Sequence, residues 1–349
     1  MIYRLDPTAD ERWTNFLDRH PKASIFHTPG WIRALEKTYR YKPIVYTTSC
    51  PGEELRNGLV FCLVDSWITG RRLVSLPFSD YCDPLCDSTL DFSRLANELY
   101  IQCDREKWKY VELRPAVSCQ CGLDAETSFL QGKKFYLHRL DLSPELNVIY
   151  EGFDKNNIKR RIQHAERADL VERRGRCEKL LKQFYRLFTI TRARHHVPPS
   201  PYAWFRNLAQ FLGDAFEIRI AYRGNSAAAA ILLLRFKDTV YFKYGCSDAQ
   251  QNHLGATPWL FWRAIQDAKR IGATTFDFGR TEEGNPGLLV FKNHWVPTPQ
   301  IVVYRRYTNK KTQPSPQESR SLRLAESVFS HLPRIALRLA GQIFYRHIA

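Results

Sequence analysis

Nowhere in the 349 residues does an uninterrupted apolar run approach the length of a membrane span, although 44% of the chain is hydrophobic. Residues 1–6 carry an arginine and an aspartate where a signal peptide needs an apolar stretch. Nine cysteines, an odd count, show no framework spacing, which speaks against a disulfide-stapled fold and for reduced thiols. Cys82-x3-Cys86 and Cys119-x-Cys121 lack a second pair at zinc spacing, so no metal is expected. From these absences the chain is expected in the cytoplasm. Acids are also short: 36 Asp and Glu against 52 Lys and Arg leave a net charge of +16. Such a surplus attracts anions. Nucleic acid, phosphate-bearing substrates and an anionic membrane face all qualify, and charge alone does not choose among them.

What is present is enough for two domains, each with its own core. The first half reads as a helix from about Thr28, then strands at Lys42–Tyr46, Gly58–Val64 and Arg72–Pro77. A loop at Phe78–Pro84, a helix from Phe92 to about Lys107 and a strand at Lys109–Arg114 follow. The second half runs the same course: a helix opening at Pro201, then strands at Phe216–Tyr222, Ala227–Leu234 and Thr239–Tyr244. The loop Gly245–Gln250, a helix from Thr257 to Arg270 with Thr257 as cap, and the strand Thr274–Phe278 complete it. Glu112 and Asp277 stand 165 positions apart, and Ser79 and Gly245 stand 166 apart. The spacing predicts two copies of one mixed α/β domain, residues 1–146 and 147–308. A basic helix over 154–168 opens the second copy.

The chemistry concentrates in Thr275–Trp295. A β-type run ends on Asp277 and Arg280, a Gly-rich turn follows, and a short apolar segment delivers Lys292 beside Phe291 and His294. Acyl transfer needs a donor for the developing oxyanion and a base for the amine proton. Lys292 suits the first need, against the plain alternative of a solvated loop lysine. Asp277 alternates with Phe276 and Phe278 and so faces away from them. It is open to three roles: orienting the acceptor, acting as base, or pairing with Arg280. His294 has a side chain suited to proton transfer, though a packed or surface histidine is the commoner case. Gly245–Ala249 imitates a nucleophile elbow, but ends in Ala and leads into loop. Tyr244, with Tyr81 and Asp83 from the matching loop of the first copy, is assigned to an acceptor cleft. On the basic helix, Ile158, Ile162 and Ala165 form an apolar face, while Lys159 and Arg160 are candidates for holding phosphate.

The duplicated α/β plan, the D-F-G-R run, the Gly-rich loop and then G-L-L-V-F-K together resemble the FemABX peptidyltransferases and their relatives, which are tandem domains of the GNAT acyltransferase fold. Phe26–Trp31 and Lys159–Arg161 add to the likeness, which covers roughly residues 10–305 as element order. The resemblance implies an α/β (α+β) fold class, with two mixed, mostly antiparallel sheets flanked by helices. It implies a transferase that moves an acyl or aminoacyl group to an amine or hydroxyl of a peptidoglycan or exopolysaccharide precursor. It sets Lys292 on the family's F-K lysine and Asp277 on its strand-end acid as catalytic residues. Arg280, Tyr244, Tyr81, Asp83, Phe291, His294, Lys159 and Arg160 are then assigned to substrate binding.

No tightly bound cofactor is expected, and the donor is aminoacyl-tRNA or acyl-coenzyme A. Gln250–Ala256 lacks the glycine spacing of a coenzyme A loop, which favours the first. The partners implied are an anionic envelope precursor and tRNA as donor, not DNA. Three other readings stay open: a coenzyme A-dependent N-acetyltransferase, a non-catalytic module for RNA or anionic glycan, and a membrane-surface scaffold that depends on residues 318–349. Residues 309–349 read as a polar linker and a final amphipathic helix. Leu324, Val328, Leu332, Ile335, Leu339 and Ile343 line one side, with Arg323, Arg334, Arg338 and Arg346 beside them and a kink at Pro333. That helix docks on the first domain or lies on the inner membrane face.

Overall fold

A computed structural model of the chain describes residues 1–116, 128–308, 341 and 344–347. The expected linker and C-terminal amphipathic helix therefore lie outside the described residues, except for residue 341 and the four near the end. Among the described residues no helix is long and apolar enough to cross a membrane.

The chain divides into two compact units. Of the described residues, the first holds 1–134, 302–308 and 344–347, and the second holds 135–301 and 341. The elements of the first are β1 (Tyr3–Leu5), α1 (Glu11–Arg19), α2 (Pro29–Tyr39), β2 (Lys42–Thr47), β3 (Leu59–Val64), β4 (Arg72–Val74), α3 (Thr89–Arg105) and β5 (Val111–Leu113). Strand β6 (Leu130–Asp141) begins in the first unit and ends in the second. There follow α4 (Leu146–Glu151), a π turn (Lys155–Lys159), α5 (Arg160–Glu166), β7 (Leu170–Gly175), α6 (Glu178–Arg194) and α7 (Tyr202–Leu212). Next come β8 (Phe216–Arg223), β9 (Ser226–Phe236), β10 (Thr239–Ser247), α8 (Ala256–Arg270), β11 (Thr275–Glu282), α9 (Pro286–Asn293) and β12 (Gln300–Tyr307). Strand β12 begins in the second unit and ends in the first. The expected boundary at residues 146–147 took elements strictly in chain order, which leaves no place for two strands that change unit.

The duplication read from sequence is present strand for strand. In the first unit β1, β2, β3 and β4 pair antiparallel in turn, β4 and β5 pair parallel, and β12 closes on β5 antiparallel. In the second, β7, β8, β9 and β10 pair antiparallel, β10 and β11 pair parallel, and β6 closes on β11 antiparallel. In each unit the parallel pair is thus flanked by a strand distant in sequence. The parallel pair needs a crossover helix, which α3 supplies in one unit and α8 in the other.

Local sequence explains the element ends. Thr28 caps α2 through its side chain, and Pro29 fills the first helical position. Asp154 accepts the Asn157 N–H at 2.7 Å and opens the basic π turn. The apolar face expected there is real: Ile158, Ile162 and Ala165 are buried. They pack into a core with Phe153, Phe261, Phe276, Phe278 and Trp295. The first unit has its own core around Phe61, Phe92, Leu95, Leu99 and Val111. Burying each such side chain contributes about 1.5–3 kcal/mol, and these aromatic contacts fix where α8 and α9 lie on β11.

Candidate active site

Strand β9 is central and buried on both faces, yet its first half is a run of alanines, Ala227–Ala230. Alanine is a poor strand former; here it makes room. Strands β10 and β11 pair only from Thr239–Thr275 to Tyr241–Asp277, although β10 runs on to Ser247 and β11 to Glu282. Beyond Tyr241 the two parallel strands part. At the parting, β10 also shifts register on β9 between Phe242 and Tyr244.

Helix α8 starts beside this gap. Its cap is Gly255, at φ +71°, and no side chain caps the helix. Thr257 is therefore the second helical residue rather than the expected cap. Gly255 is required twice: for its left-handed backbone, and because an added Cβ would sit 2.3 Å from the carbonyl oxygen of Arg161. That close approach brings the basic helix α5 against the N-terminus of α8. A cavity of about 190 Å³ lies there, lined by Arg161, Ala228, Ala229, Gln251, Thr257 and Phe291 among others. The N–H groups of Ala256 and Thr257, which have no intrahelical acceptor, come at this cavity with the positive end of the helix dipole. The place suits an anion.

The other side of the gap is β11 and α9. Asn285 caps α9, accepting the Leu288 N–H at 3.1 Å, with Pro286 at its first position. Trp295 is buried against Phe153, Phe261 and Phe278 and pins the end of the helix. Lys292 is then carried inward. It is 2% exposed, and its Nζ donates to the carbonyls of Gly279 at 2.8 Å and Arg280 at 3.1 Å. Both carbonyls belong to a β-bulge, where β11 shifts register on β6 between Asp277 and Arg280 and Gly279 takes φ +71°. Asp277 stabilises the same bulge. It is 1% exposed, its Oδ1 accepts the Gly279 N–H at 2.7 Å, and its Oδ2 pairs with Arg139 Nε at 3.1 Å.

Asp277, for which pairing with Arg280 was one of three roles left open, pairs with Arg139, because the adjoining strand β6 presents a guanidinium directly opposite. The Arg280 guanidinium lies 4.1 Å from the Phe135 ring centroid and 4.0 Å from Glu282. Phe291 lines the cavity and packs on Phe261 and Trp295. His294 contributes its main-chain carbonyl, which accepts the Asp154 N–H at 3.0 Å and ties α9 to the basic turn. Lys159 pairs with Glu151 at 2.8 Å, whereas Arg160 is exposed. Tyr244 accepts a hydrogen bond from Trp204 Nε1 at 2.9 Å and packs on Phe188 and Phe205. Tyr81 and Asp83 belong to the first unit: Tyr81 is buried edge-on to Phe26, and Asp83 accepts the Ala116 N–H at 2.6 Å.

Sequence reasoning passed over two buried residues on the strands beside Lys292, His138 and Thr281. His138 on β6 is wholly buried, with Nε2 2.8 Å from Asn293 Oδ1 and Nδ1 without a hydrogen-bond partner among the described residues. Thr281 is buried, its Oγ1 likewise unpartnered. Burial pushes the His138 pKa below its ordinary value; the Asn293 contact opposes this and the Lys292 charge adds to it. The imidazole is therefore neutral near pH 7. Only the adjacency of Asn293 to Lys292 could have signalled it; β6 lies 155 residues from α9. Among the described residues no group of three or more His, Cys, Asp or Glu could hold a metal ion.

Residues 154–292 match the family described as acetyltransferase (GNAT) domain. That span contains the basic turn, the parted strands, the α8 N-terminus and Lys292. The chain is a GNAT-fold transferase. Among solved structures, FemX superimposes on the transferase with a TM-score of 0.68 at 13% identity, over 93% of this chain and 100% of that one. The C-terminal domain of a putative lysylphosphatidylglycerol synthetase from Agrobacterium fabrum follows, at TM-score 0.59 and 13% identity, over 91% and 94%. A tandem GNAT protein from the clavulanic acid biosynthesis pathway gives 0.53 at 11% identity, over 90% and 99%. At these identities the likeness is one of fold, and the fold is the FemABX-like tandem GNAT arrangement. No curated protein matches the transferase in sequence.

Proposed function

We propose that the second unit transfers an acyl or aminoacyl group from a phosphate-bearing donor to an amine or hydroxyl of an anionic cell-envelope precursor, on the cytoplasmic side. The observation that carries this reading is the cavity at the parted strands, where an uncapped helix N-terminus and Arg161 meet. Phosphate binds there through main-chain N–H groups and one guanidinium. The acceptor nitrogen or oxygen attacks the donor carbonyl carbon. The bond from that carbon to the donor's oxygen or sulfur breaks, the donor leaves with the electron pair, and the acceptor's proton passes to the leaving group or solvent. Lys292 places a buried positive charge at the bulge beside the gap, where it stabilises negative charge on the carbonyl oxygen. Asp277 with Arg139 holds the bulge in register and so positions Lys292.

The likeness to a lysylphosphatidylglycerol synthetase, whose name describes an aminoacyl group on an anionic lipid, supports an aminoacyl donor. The second reading is an acyl-coenzyme A donor, supported by the α8 N-terminus and by the tandem GNAT neighbour, whose description mentions AcCoA. The test is a donor screen with the purified full chain, an extract of envelope precursors, and radiolabelled charged tRNA or acyl-coenzyme A. Transfer by the wild type that falls in both Arg161→Ala and Lys292→Met identifies the donor and upholds the site. No transfer from either donor, with RNA or glycan binding intact, replaces the reading with a binding module.

A further inference from the structure

The first unit presents an aromatic side chain to water in a place built to keep it there. The turn between β3 and β4 carries Trp67, 87% exposed, and Ile68, 46% exposed, at adjacent positions. Exposed apolar residues scattered singly need no explanation. This pair differs because the turn under it is fixed. Ser66 Oγ accepts the N–H groups of Ile68 at 3.2 Å and Thr69 at 3.0 Å, and the Gly70 N–H returns to the Ser66 carbonyl at 2.8 Å. With both N–H groups directed at it, Ser66 Oγ donates its own proton to His347 Nδ1, 2.9 Å away.

The C-terminal residues complete the platform. The His347 carbonyl accepts from Thr69 Oγ1 at 2.7 Å and from Arg72 Nη2 at 2.8 Å, and the Tyr345 carbonyl accepts from Tyr41 Oη at 2.9 Å. The Trp67 ring stands edge-on to His347, 5.9 Å between centroids. Cations outnumber acids at the turn. Arg72 Nη1 donates to Thr69 Oγ1 and Lys109 Nζ to the Thr69 carbonyl, with the Arg71 side chain 41% exposed and Arg346 exposed, against exposed Asp65 and the half-buried Glu106 that meets Arg71 at 3.5 Å.

A rigid turn that offers an indole and an aliphatic side chain, flanked by Arg71 and Arg346, matches the interfacial zone of an anionic bilayer. Tryptophan prefers the headgroup level. Arginines beside it face lipid phosphates, and stable surface binding takes an apolar and a basic signal together. We propose that the Trp67–Ile68 tip inserts into the surface of an anionic lipid bilayer, with Arg71 and Arg346 against its phosphates. The inference does not depend on the transfer reaction.

The test is co-sedimentation of the full chain with vesicles of phosphatidylcholine alone and of phosphatidylcholine mixed with phosphatidylglycerol, comparing wild type with the double variant Trp67→Ser, Ile68→Ser. Both side chains point to water, so unchanged circular dichroism and melting are expected. Binding to the anionic vesicles should fall by about tenfold in the variant. Quenching by brominated phosphatidylglycerol should be weaker in Trp67→Phe than in wild type. Wild-type protein that stays in solution with both vesicle types overturns the proposal. So does a double variant that binds as wild type does, because charge alone then explains adsorption. A wild type that self-associates through the tip, shown by a dimer on gel filtration that the variant lacks and by no vesicle binding, assigns the tip to a second copy instead.

Discussion

Asp277 and Arg139 face each other across β11 and β6, Oδ2 to Nε at 3.1 Å, and the first unit repeats the pair as Glu112 and Arg306 across β5 and β12 at 2.7 Å. Both acids stand at the last paired position of the parallel strand pair, and both arginines come from the strand that arrives from far along the chain. Burial alone would push Glu112 up, but Arg114 and Arg306 more than offset it and hold its carboxyl below the ordinary range. The same pair in both copies points to sheet closure rather than proton transfer. Asp277→Asn should therefore lower the melting temperature and leave measurable transfer. Arg139→Met should cost roughly 2–3 kcal/mol, at or below the low end for a broken buried pair because Arg139 is 30% exposed. Asp277→Asn protein of wild-type stability with no activity would instead make Asp277 the base.

Lys292 has a structural and a chemical duty, and substitutions separate them. Lys292→Met leaves the carbonyls of Gly279 and Arg280 without their buried donor, at a cost of about 1–3 kcal/mol. If Lys292 also stabilises the oxyanion, transfer should fall about 100- to 1000-fold in protein shown to be folded. Loss of stability with transfer per folded molecule unchanged would confine Lys292 to capping the bulge.

His138 predicts how stability responds to acid. Its folded pKa lies below the ordinary 6.5, so in this range the unfolded chain binds more protons than the folded one. Stability then rises with pH through the window and is lost as pH falls below about 6.5 toward the folded value. Thermal melts between about pH 7 and about pH 5 should show this slope, and His138→Gln should flatten part of it. His195 and His347 are lowered too, so the difference between variant and wild type is the quantity to read. Equal slopes would remove His138 from the account.

Gly255→Ala tests the meeting of α5 and α8. The substitution puts a Cβ 2.3 Å from the Arg161 carbonyl at a left-handed backbone. The backbone strain alone is about 1–2 kcal/mol, and α5 must also move. Donor binding should weaken more than global stability does. An alanine variant with wild-type donor affinity would show that the helix N-terminus does not hold phosphate.

The sequence by itself determined what depends on near neighbours and on order. Strand and helix periodicity, the helix starts at Thr28 and Asp154, the apolar face of the basic helix, and the 165-residue echo of Glu112 in Asp277 were all legible. They sufficed for a tandem fold and for placing Lys292 and Asp277 on one stretch. Short-range sterics and hydrogen bonds fix such features within a few residues. Only tertiary structure decided the rest, because the deciding contacts join distant segments. Arg139 met Asp277 from 138 residues away, Arg280 lay over Phe135, and His138 reached Asn293 across 155. Two strands changed unit, which a boundary read along the chain does not anticipate. Gly255 fell in a stretch read only as lacking the glycine spacing of a coenzyme A loop, and became intelligible once Arg161 lay against it. Which buried charge meets which, and where a strand must part from its neighbour, depends on how the sheet closes.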